Sequence, residues 1–404
     1  MRNTYHGRRK SKPTSNRRRS SNGNRNSDRR RSGNKSQLDP ALFIKKAVPV
    51  EETVYHPDRT IEQLPLSHRL ISRLTKKGFK KPTEIQDKTL EALLDGRDLM
   101  GIAQTGTGKT GAFLMPIIEE LIHDPREKEL ALVVVPTREL ALQVNEEFRS
   151  MTQGLKLFSS CFIGGTSINK DIHNLRRSSH IVIGTPGRLL DLSERGALKF
   201  YHFRILVLDE FDRMLDMGFA RDMDRIIGDM SDREQTMLFS ATLDKSQERR
   251  ISEILHDPVH VKVSTGDTPH DQIEQDVIRL EQGEDKFRKL CDMLHQQEFS
   301  KVLLFDETKH RVNRLCQQLN KRGIKSAQIQ GNKSQNARQA ALKSFKEGKI
   351  RVLVATDVAA RGIDVSDISH VINYQMPRTY DSYIHRIGRT GRAGRTGKAF
   401  TFVS

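Results

Sequence analysis

Gly101-Ile-Ala-Gln-Thr-Gly-Thr-Gly-Lys-Thr110 lies between a short apolar run and a longer amphipathic one. The spacing predicts a strand, a glycine turn and a helix start. In that setting backbone N–H groups can cradle phosphate oxygens at the helix N-terminus. Gly106 and Gly108, with Thr107 between them, let the chain turn tightly. Lys109 can reach the outer phosphates of a nucleotide, and the Thr110 hydroxyl can hold Mg2+. Ala103 stands where the strict pattern has glycine, so the loop is a variant. The apolar stretch 115–122 behind it reads as a core helix.

Outward from this loop, strand-length apolar runs alternate with helix-length stretches. One series is Asp98–Ala103, Leu132–Pro136, His180–Thr185, Ile205–Asp209 and Thr236–Ser240. A second is Lys301–Phe305, Ser326–Ile329, Arg351–Thr356, His370–Tyr374 and Lys398–Val403. Such Val/Ile/Leu runs indicate parallel α/β sheets covered on both faces. Ten runs are too many for one ordinary sheet, and Val263-Ser-Thr-Gly-Asp-Thr-Pro-His270 between the series reads as a linker. The expected organisation is a disordered basic arm and junction over 1–55, a nucleotide-binding domain over 56–264, a linker over 265–272 and a second domain over 273–404.

One hundred residues beyond Lys109, Ile205-Leu-Val-Leu-Asp-Glu210 ends a buried run on two carboxylates. A strand-end Asp209 beside a phosphate loop is the expected partner of Mg2+. Glu210 next to it can orient and deprotonate an attacking water. Alone, Asp-Glu after a strand is common; paired with the loop it reads as a hydrolysis site.

The chain has 404 residues and a net charge of +18. Thirteen Lys and Arg against two Asp put +11 of that charge in the first forty residues. Between Tyr5 and Leu38 no apolar side chain occurs, so nothing there offsets the entropy of ordering. The arm suits RNA phosphates by counterion release; a solvated tail or localisation signal is the other reading. It lacks the apolar face of a transit peptide and the apolar core of a secretory signal. No apolar run reaches the ~18 residues of a membrane span. Cys161, Cys291 and Cys316 are too few and too scattered for a disulfide scaffold or a cysteine zinc site, and a reducing compartment is the easier reading.

Further motifs follow in order. Gly78-Phe-Lys-Lys-Pro-Thr-Glu-Ile-Gln86 precedes the loop, and Pro136-Thr-Arg-Glu-Leu140, Gly164-Gly165, Thr185-Pro-Gly-Arg188 and Ser240-Ala-Thr242 come after it. The second half carries Ala355-Thr-Asp-Val-Ala-Ala-Arg361, Arg361-Gly-Ile-Asp364 and His385-Arg-Ile-Gly-Arg-Thr-Gly-Arg392. With these, the stretch from about Ile61 to Ser404 resembles the DEAD-box ATP-dependent RNA helicases. The resemblance implies two tandem RecA-like domains, each a parallel sheet with helices on both faces. It implies that Gln86 pairs with the adenine edge, that Phe79 packs on the ring and that Asp364 holds the ribose. Arg138, Gly165, Thr185 and Arg188, then Gly331, Gln335, Arg338 and Thr356, would face the RNA backbone, which positions RNA without reading its sequence. Arg389 and Arg392 would be arginine fingers on the γ-phosphate. Asp212, Ser240, Thr242 and His385 would couple the sites, with the Ser240 and Thr242 hydroxyls on Asp212. Three residues depart from the family pattern: Ile61 replaces a Phe, Phe211 replaces the Ala of the name motif, and Gln375 stands where many relatives have Asp.

The implied function is RNA-stimulated ATP hydrolysis coupled to local, non-processive separation of short RNA duplexes or RNP remodelling. The expected ligands are ATP, Mg2+ and RNA, with RNP or ribosomal partners and no membrane. The expected protein is a monomer in the cytoplasm, or in the nucleus of a eukaryote. Two other readings share the motifs. One is an ATP-gated RNA clamp of slow turnover, towards which only Phe211 points. The other is a DNA helicase of the same superfamily, from which Gln86 and Ser240-Ala-Thr242 lean away.

Overall fold

The computed structural model describes residues 38–47, 55–104, 106–124, 130–177, 179–243, 245–263, 273–360, 365, 367–391 and 396–403. The expected arm, the linker over 265–272, Asp364 and Arg392 lie outside the described residues.

Among the described residues the chain forms two parallel sheets. The first contains β1 (Leu99–Ile102), β2 (Ala131–Val134), β3 (Ser159–Phe162), β4 (Ile181–Gly184), β5 (Ile205–Leu208), β6 (Gln235–Ser240) and β7 (Val259–Lys262). Its order is β3-β4-β2-β5-β6-β1-β7. The second contains β8 (Ile273–Arg279), β9 (Val302–Phe305), β10 (Ser326–Ile329), β11 (Val352–Ala355), β12 (His370–Asn373) and β13 (Gly397–Val403). Its order is β10-β11-β9-β12-β13-β8. These are the two α/β domains expected from the alternation of runs.

Burial explains the order. The inner strands β2, β4 and β5 are buried at every residue. Their alternate side chains enter opposite cores: Val133, Ile183 and Val207 on one face, Leu132, Val182 and Leu206 on the other. Period-two alternation with both faces apolar is what gives a continuous hydrophobic run. Ten of the strands were legible, most of them for this reason; β10, an edge strand with two half-buried residues, was read although it lacks such a run. The three missed, β3, β7 and β8, are edge strands. Each leaves residues half-buried or exposed, and Glu274, Asp276 and His260 sit among them, so no such run exists to be read.

A further difference concerns the junction. Leu38–Ala47 was expected only to join the arm to the body. Instead Pro40–Phe43 forms a short 3-10 helix and Lys45 pairs antiparallel with Gln275 of β8. Phe43 is wholly buried in the core of the second sheet, which supplies the apolar contact that the arm lacks.

Because every strand of a sheet runs the same way, all strand C-termini reach one edge. On the first sheet that edge collects the loop after β1, the carboxylates after β5 and the turn after β6. It also collects the Thr137, Gly164-Gly165 and Thr185 turns after β2, β3 and β4. Open α/β sheets place ligands there. No helix among the described residues is long and apolar enough to cross a membrane.

Candidate nucleotide and RNA site

The glycine loop after β1 turns as its sequence demands. Gly108 has φ +96° and caps the helix Lys109–His123. A Cβ there would also come within 2.6 Å of Thr83 Oγ1 and 2.8 Å of Gln86 Nε2, so glycine is required twice over. The Thr107 hydroxyl donates to Gln104 O at 2.8 Å, and Thr110 is the second residue of the helix.

Lys109 is 6% exposed, and its Nζ has no hydrogen-bond partner among the described residues. Its nearest counter-charge is Asp209 Oδ1 at 3.8 Å. A buried ammonium left short of acceptors is costly unless a ligand satisfies it. Phosphate oxygens between the loop N–H groups would do so, and the donor set therefore fits a nucleoside triphosphate. Asp209 is buried too. Burial pushes its carboxyl up to about 6, with Glu210 adding to the push and Lys109 opposing it. Asp209 Oδ1 accepts from Glu210 N at 2.9 Å. Carboxylate and threonine hydroxyl are hard oxygen donors of the kind Mg2+ takes, one or two at a time beside phosphates.

Glu210 adopts a left-handed conformation, φ 54° and ψ 51°. For a residue with a Cβ this stores roughly 1–2 kcal/mol. It turns the chain out of β5 into the helix Phe211–Asp216, whose Arg213 sets Nη1 3.3 Å from Glu210 Oε2. Phe211 is wholly buried in the apolar core with Leu208, Met214 and Leu238. Its ring therefore occupies the core behind the carboxylates.

Asp212 Oδ2 accepts from Thr242 N at 3.2 Å and from Thr242 Oγ1 at 3.1 Å. The Ser240 hydroxyl was expected to bond Asp212 as well, but it does not. It donates to Thr242 O at 2.6 Å, because Ser240 still belongs to the fully buried strand β6 and must find its acceptor locally.

Gln86 is buried beside the phosphate loop. Its Oε1 accepts from Thr83 N at 3.0 Å and its Nε2 donates to Gly108 O at 3.0 Å. One N–H and one lone pair of the amide remain for a base edge. Phe79 is half-buried against the first core, with Lys77 Nζ 5.7 Å above its ring. Ile61 fills the Phe position as a wholly buried core residue.

Basic groups converge on the loops that the resemblance assigns to RNA. Arg138 opens the helix Arg138–Met151 and lies over Gly164-Gly165; a Cβ on Gly165, φ +83°, would run into its guanidinium. Burial lowers the Arg138 pKa, with the Arg338 and Arg188 charges adding to it and Glu139 opposing. Arg188 is held by Asp171 Oδ2 at 2.6 Å and Thr166 O at 2.8 Å, at the start of the helix capped by Thr185. From the second domain, Arg338 Nη2 reaches Glu139 Oε2 at 3.0 Å and Gln335 Nε2 reaches Glu139 Oε1 at 3.3 Å. Glu139 thus joins the domains. Sequence reasoning missed it, though it sits inside the quoted Pro136–Leu140 motif. Gly331 is exposed after β10, and Thr356 precedes the helix Asp357–Ala360.

In the second domain the helix Tyr380–Ile387 carries His385 and leads to the buried Arg389, whose Nε donates to His385 O at 3.3 Å. Arg386 between them was not singled out from sequence. It is buried, with Nη2 2.9 Å from Asp357 Oδ2, Nη1 2.8 Å from Gln375 O and 3.1 Å from Asn373 Oδ1. Gln375 thus meets this network through its backbone.

Residues 83–251 match the DEAD/DEAH box helicase family model, and residues 285–394 the helicase conserved C-terminal domain model. The DEAD-box ATP-dependent RNA helicase CshA of Streptococcus pneumoniae is 44% identical over 344 residues, 85% of this chain and 65% of that protein. The ATP-dependent RNA helicase CshA of Listeria monocytogenes is 42% identical over 339 residues, 84% of this chain and 65% of that protein. The chain thus spans about two thirds, 65%, of the length of these relatives. Among solved structures, S. cerevisiae Dbp5 bound to RNA and ADP BeF3 aligns with a TM-score of 0.75 at 30% identity, over 85% of this chain and 89% of that one. Mss116p bound to ssRNA and AMP-PNP aligns with a TM-score of 0.76 at 31% identity, over 89% of this chain and 76% of that one. With a phosphate loop, a strand-end carboxylate pair and a second sheet that carries the arginine helix, and with relatives of this kind along most of its length, the chain belongs to the DEAD-box helicase family.

Proposed function

We propose that the protein is an ATP-dependent RNA helicase, in which RNA-stimulated ATP hydrolysis drives local, non-processive separation of short RNA duplexes or RNP remodelling. The carrying observation is Lys109, a buried ammonium at the head of the loop helix with no hydrogen-bond partner among the described residues. The proteins it resembles are described as bound to RNA together with ADP BeF3 or AMP-PNP.

In this reading Gln86 and Phe79 take the adenine, Asp364 the ribose, and Gly106, Thr107, Gly108 and Lys109 the phosphates. Thr110 and Asp209 would hold Mg2+, which neutralises phosphate charge when bound. Glu210 orients the attacking water and takes its proton. Arg389 and Arg392 stabilise charge developing on the transferred phosphoryl. Arg138, Gly165, Thr185, Arg188, Gly331, Gln335, Arg338 and Thr356 contact RNA phosphates. Asp212, Ser240, Thr242 and His385 link the two sites. If RNA and ATP both favour the closed pair of domains, each must raise affinity for the other by the same factor. The domain division at 265–272, a monomeric state, RNP partners and a cytoplasmic location belong to the same reading.

Steady-state ATP hydrolysis with and without single-stranded RNA tests it. Strong stimulation is expected, and none would overturn the reading. Tight ATP-dependent RNA binding with little turnover would move it to a clamp. Phe211 gives that alternative little support, since its ring lies in the core.

A further inference from the structure

The buried face of the second domain is completed by residues from the far end of the chain. Asp39 Oδ1 accepts from Ala41 N at 2.9 Å and caps the Pro40–Phe43 turn. Within that turn and just after it, Leu42 and Ile44 are 49% and 51% exposed, while Phe43 is fully buried. Phe43 is therefore the main anchor, with Leu38 partly buried against the same core. Lys45 then exchanges both backbone hydrogen bonds with Gln275 of β8, at 2.9 and 2.8 Å. The Gln275 side chain accepts from the Tyr383 hydroxyl at 2.9 Å, and the Tyr383 ring lies 4.5 Å from the Phe43 ring, tilted by 54°. The contacts close a cycle: segment to edge strand, edge strand to Tyr383, Tyr383 back to the segment.

Tyr383 belongs to the helix Tyr380–Ile387, two residues before His385 and six before Arg389. Phe43 and Tyr383 share a core with Ile387 and Ala399. A ring wedged against the back of this helix fixes its rotation and height, and with them the groups on its front.

We propose that Leu38–Ala47 is a built-in brace of the second domain, and that Phe43 is a positioning residue for the helix that presents His385 and Arg389. The proposal rests on the hydrolytic reading above only for its effect on rate. Phe43 touches neither nucleotide nor RNA in that reading. Removing it leaves the first-domain nucleotide pocket intact and misplaces the arginine, and small misplacements of a catalytic group can cost up to about a hundredfold.

The test uses the full chain. In Phe43→Ala, amide hydrogen exchange should rise across 380–389 while β9 keeps its protection. The kcat for RNA-stimulated ATP hydrolysis should fall about tenfold or more, with KM for ATP changed by less than about twofold, since Lys109 and Gln86 are untouched. Phe43→Leu should recover most of the rate, and Ile44→Ala should match the wild type. Should Phe43→Ala fail to fold, Lys45→Pro, which removes the backbone donor to Gln275 and constrains the segment locally, carries the same expectations. Unchanged exchange over 380–389 overturns the brace. Faster exchange with an unaltered kcat, or a loss shared equally by kcat and folded fraction, overturns the positioning role. A wild-type chain without RNA-stimulated hydrolysis would instead sink the functional reading, and exchange would still decide the brace.

Discussion

The two sheets share one architecture, and one buried cation in each is held in a contrasting way. At the loaded edge of the first, Lys109 Nζ lacks a hydrogen-bond partner among the described residues, Asp209 is held near 6, and Glu210 sits in a left-handed turn. In the second, Arg386 spreads its guanidinium over Asp357, Asn373 and Gln375 and lies 5.1 Å above the Phe305 ring. A buried ammonium short of acceptors suits the oxygens of a ligand; a guanidinium with its acceptors in place is a fixed mount. In the proposed reading the first of these groups meets the phosphates, and the second steadies the helix that leads to Arg389.

The largest expected effects fall on the groups proposed to act in hydrolysis. Arg389→Ala should lower RNA-stimulated kcat by ~10³–10⁵ with ATP affinity nearly kept, measured by steady-state hydrolysis and nucleotide titration. An equal loss of affinity would mean that the second domain binds as well as presents. Glu210→Gln should lower turnover by ~10²–10⁴ while ATP and RNA binding persist; near-normal turnover would remove Glu210 from the chemistry.

Next comes the mount itself. Arg386→Ala leaves Asp357 and the Asn373 and Gln375 oxygens without their donor; with Asp357 partly exposed, the loss should destabilise the second domain by about 1–3 kcal/mol. Urea unfolding reads this as a lower midpoint. A shift no larger than that of an exposed arginine would show that the network is dispensable.

The second domain also carries an acid-sensitive group. His370 is packed between Phe299 and Phe400, and burial lowers its pKa from 6.5 to about 4. The unfolded chain therefore takes up a proton near pH 6.5 that the folded chain refuses until about 4. Its contribution is fully present above 6.5 and is lost as pH falls towards 4, by roughly 3 kcal/mol. His370→Phe should flatten that limb in thermal melts between pH 7 and 4; an unchanged limb would place the acid sensitivity elsewhere. The smallest effect concerns the arm. Deleting residues 1–36 should weaken RNA binding and shallow its salt dependence, by roughly 0.7 in log–log slope for each lost phosphate contact. An equal slope would show that the arm does not touch RNA.

What could be read from sequence follows burial. Strands in the middle of each sheet are apolar on both faces, so β2, β5, β9 and β11 stood out as runs. Three of the four edge strands, β3, β7 and β8, carry polar residues that hide them; the fourth, β10, was read. The site divides similarly. Gly108, Lys109 and Asp209-Glu210 were legible because phosphate chemistry demands those residue types in that spacing. Glu139, Asp171 and Arg386 were not, because each is chosen by a partner distant in sequence: Glu139 by Arg338, Asp171 by Arg188, Arg386 by Asp357.

The sequence by itself determined the two α/β halves, the phosphate loop, the carboxylate pair and the basic arm, since each is written in local pattern and spacing. Only the tertiary structure decided that the Ser240 hydroxyl turns to Thr242 instead of Asp212, that Phe211 enters the core, that Glu139 clasps both domains and that Phe43 seats against Tyr383. Those outcomes depend on which surfaces meet once the chain is packed. Buried polar groups and large rings take the partners that close packing leaves them, and no local pattern specifies those partners.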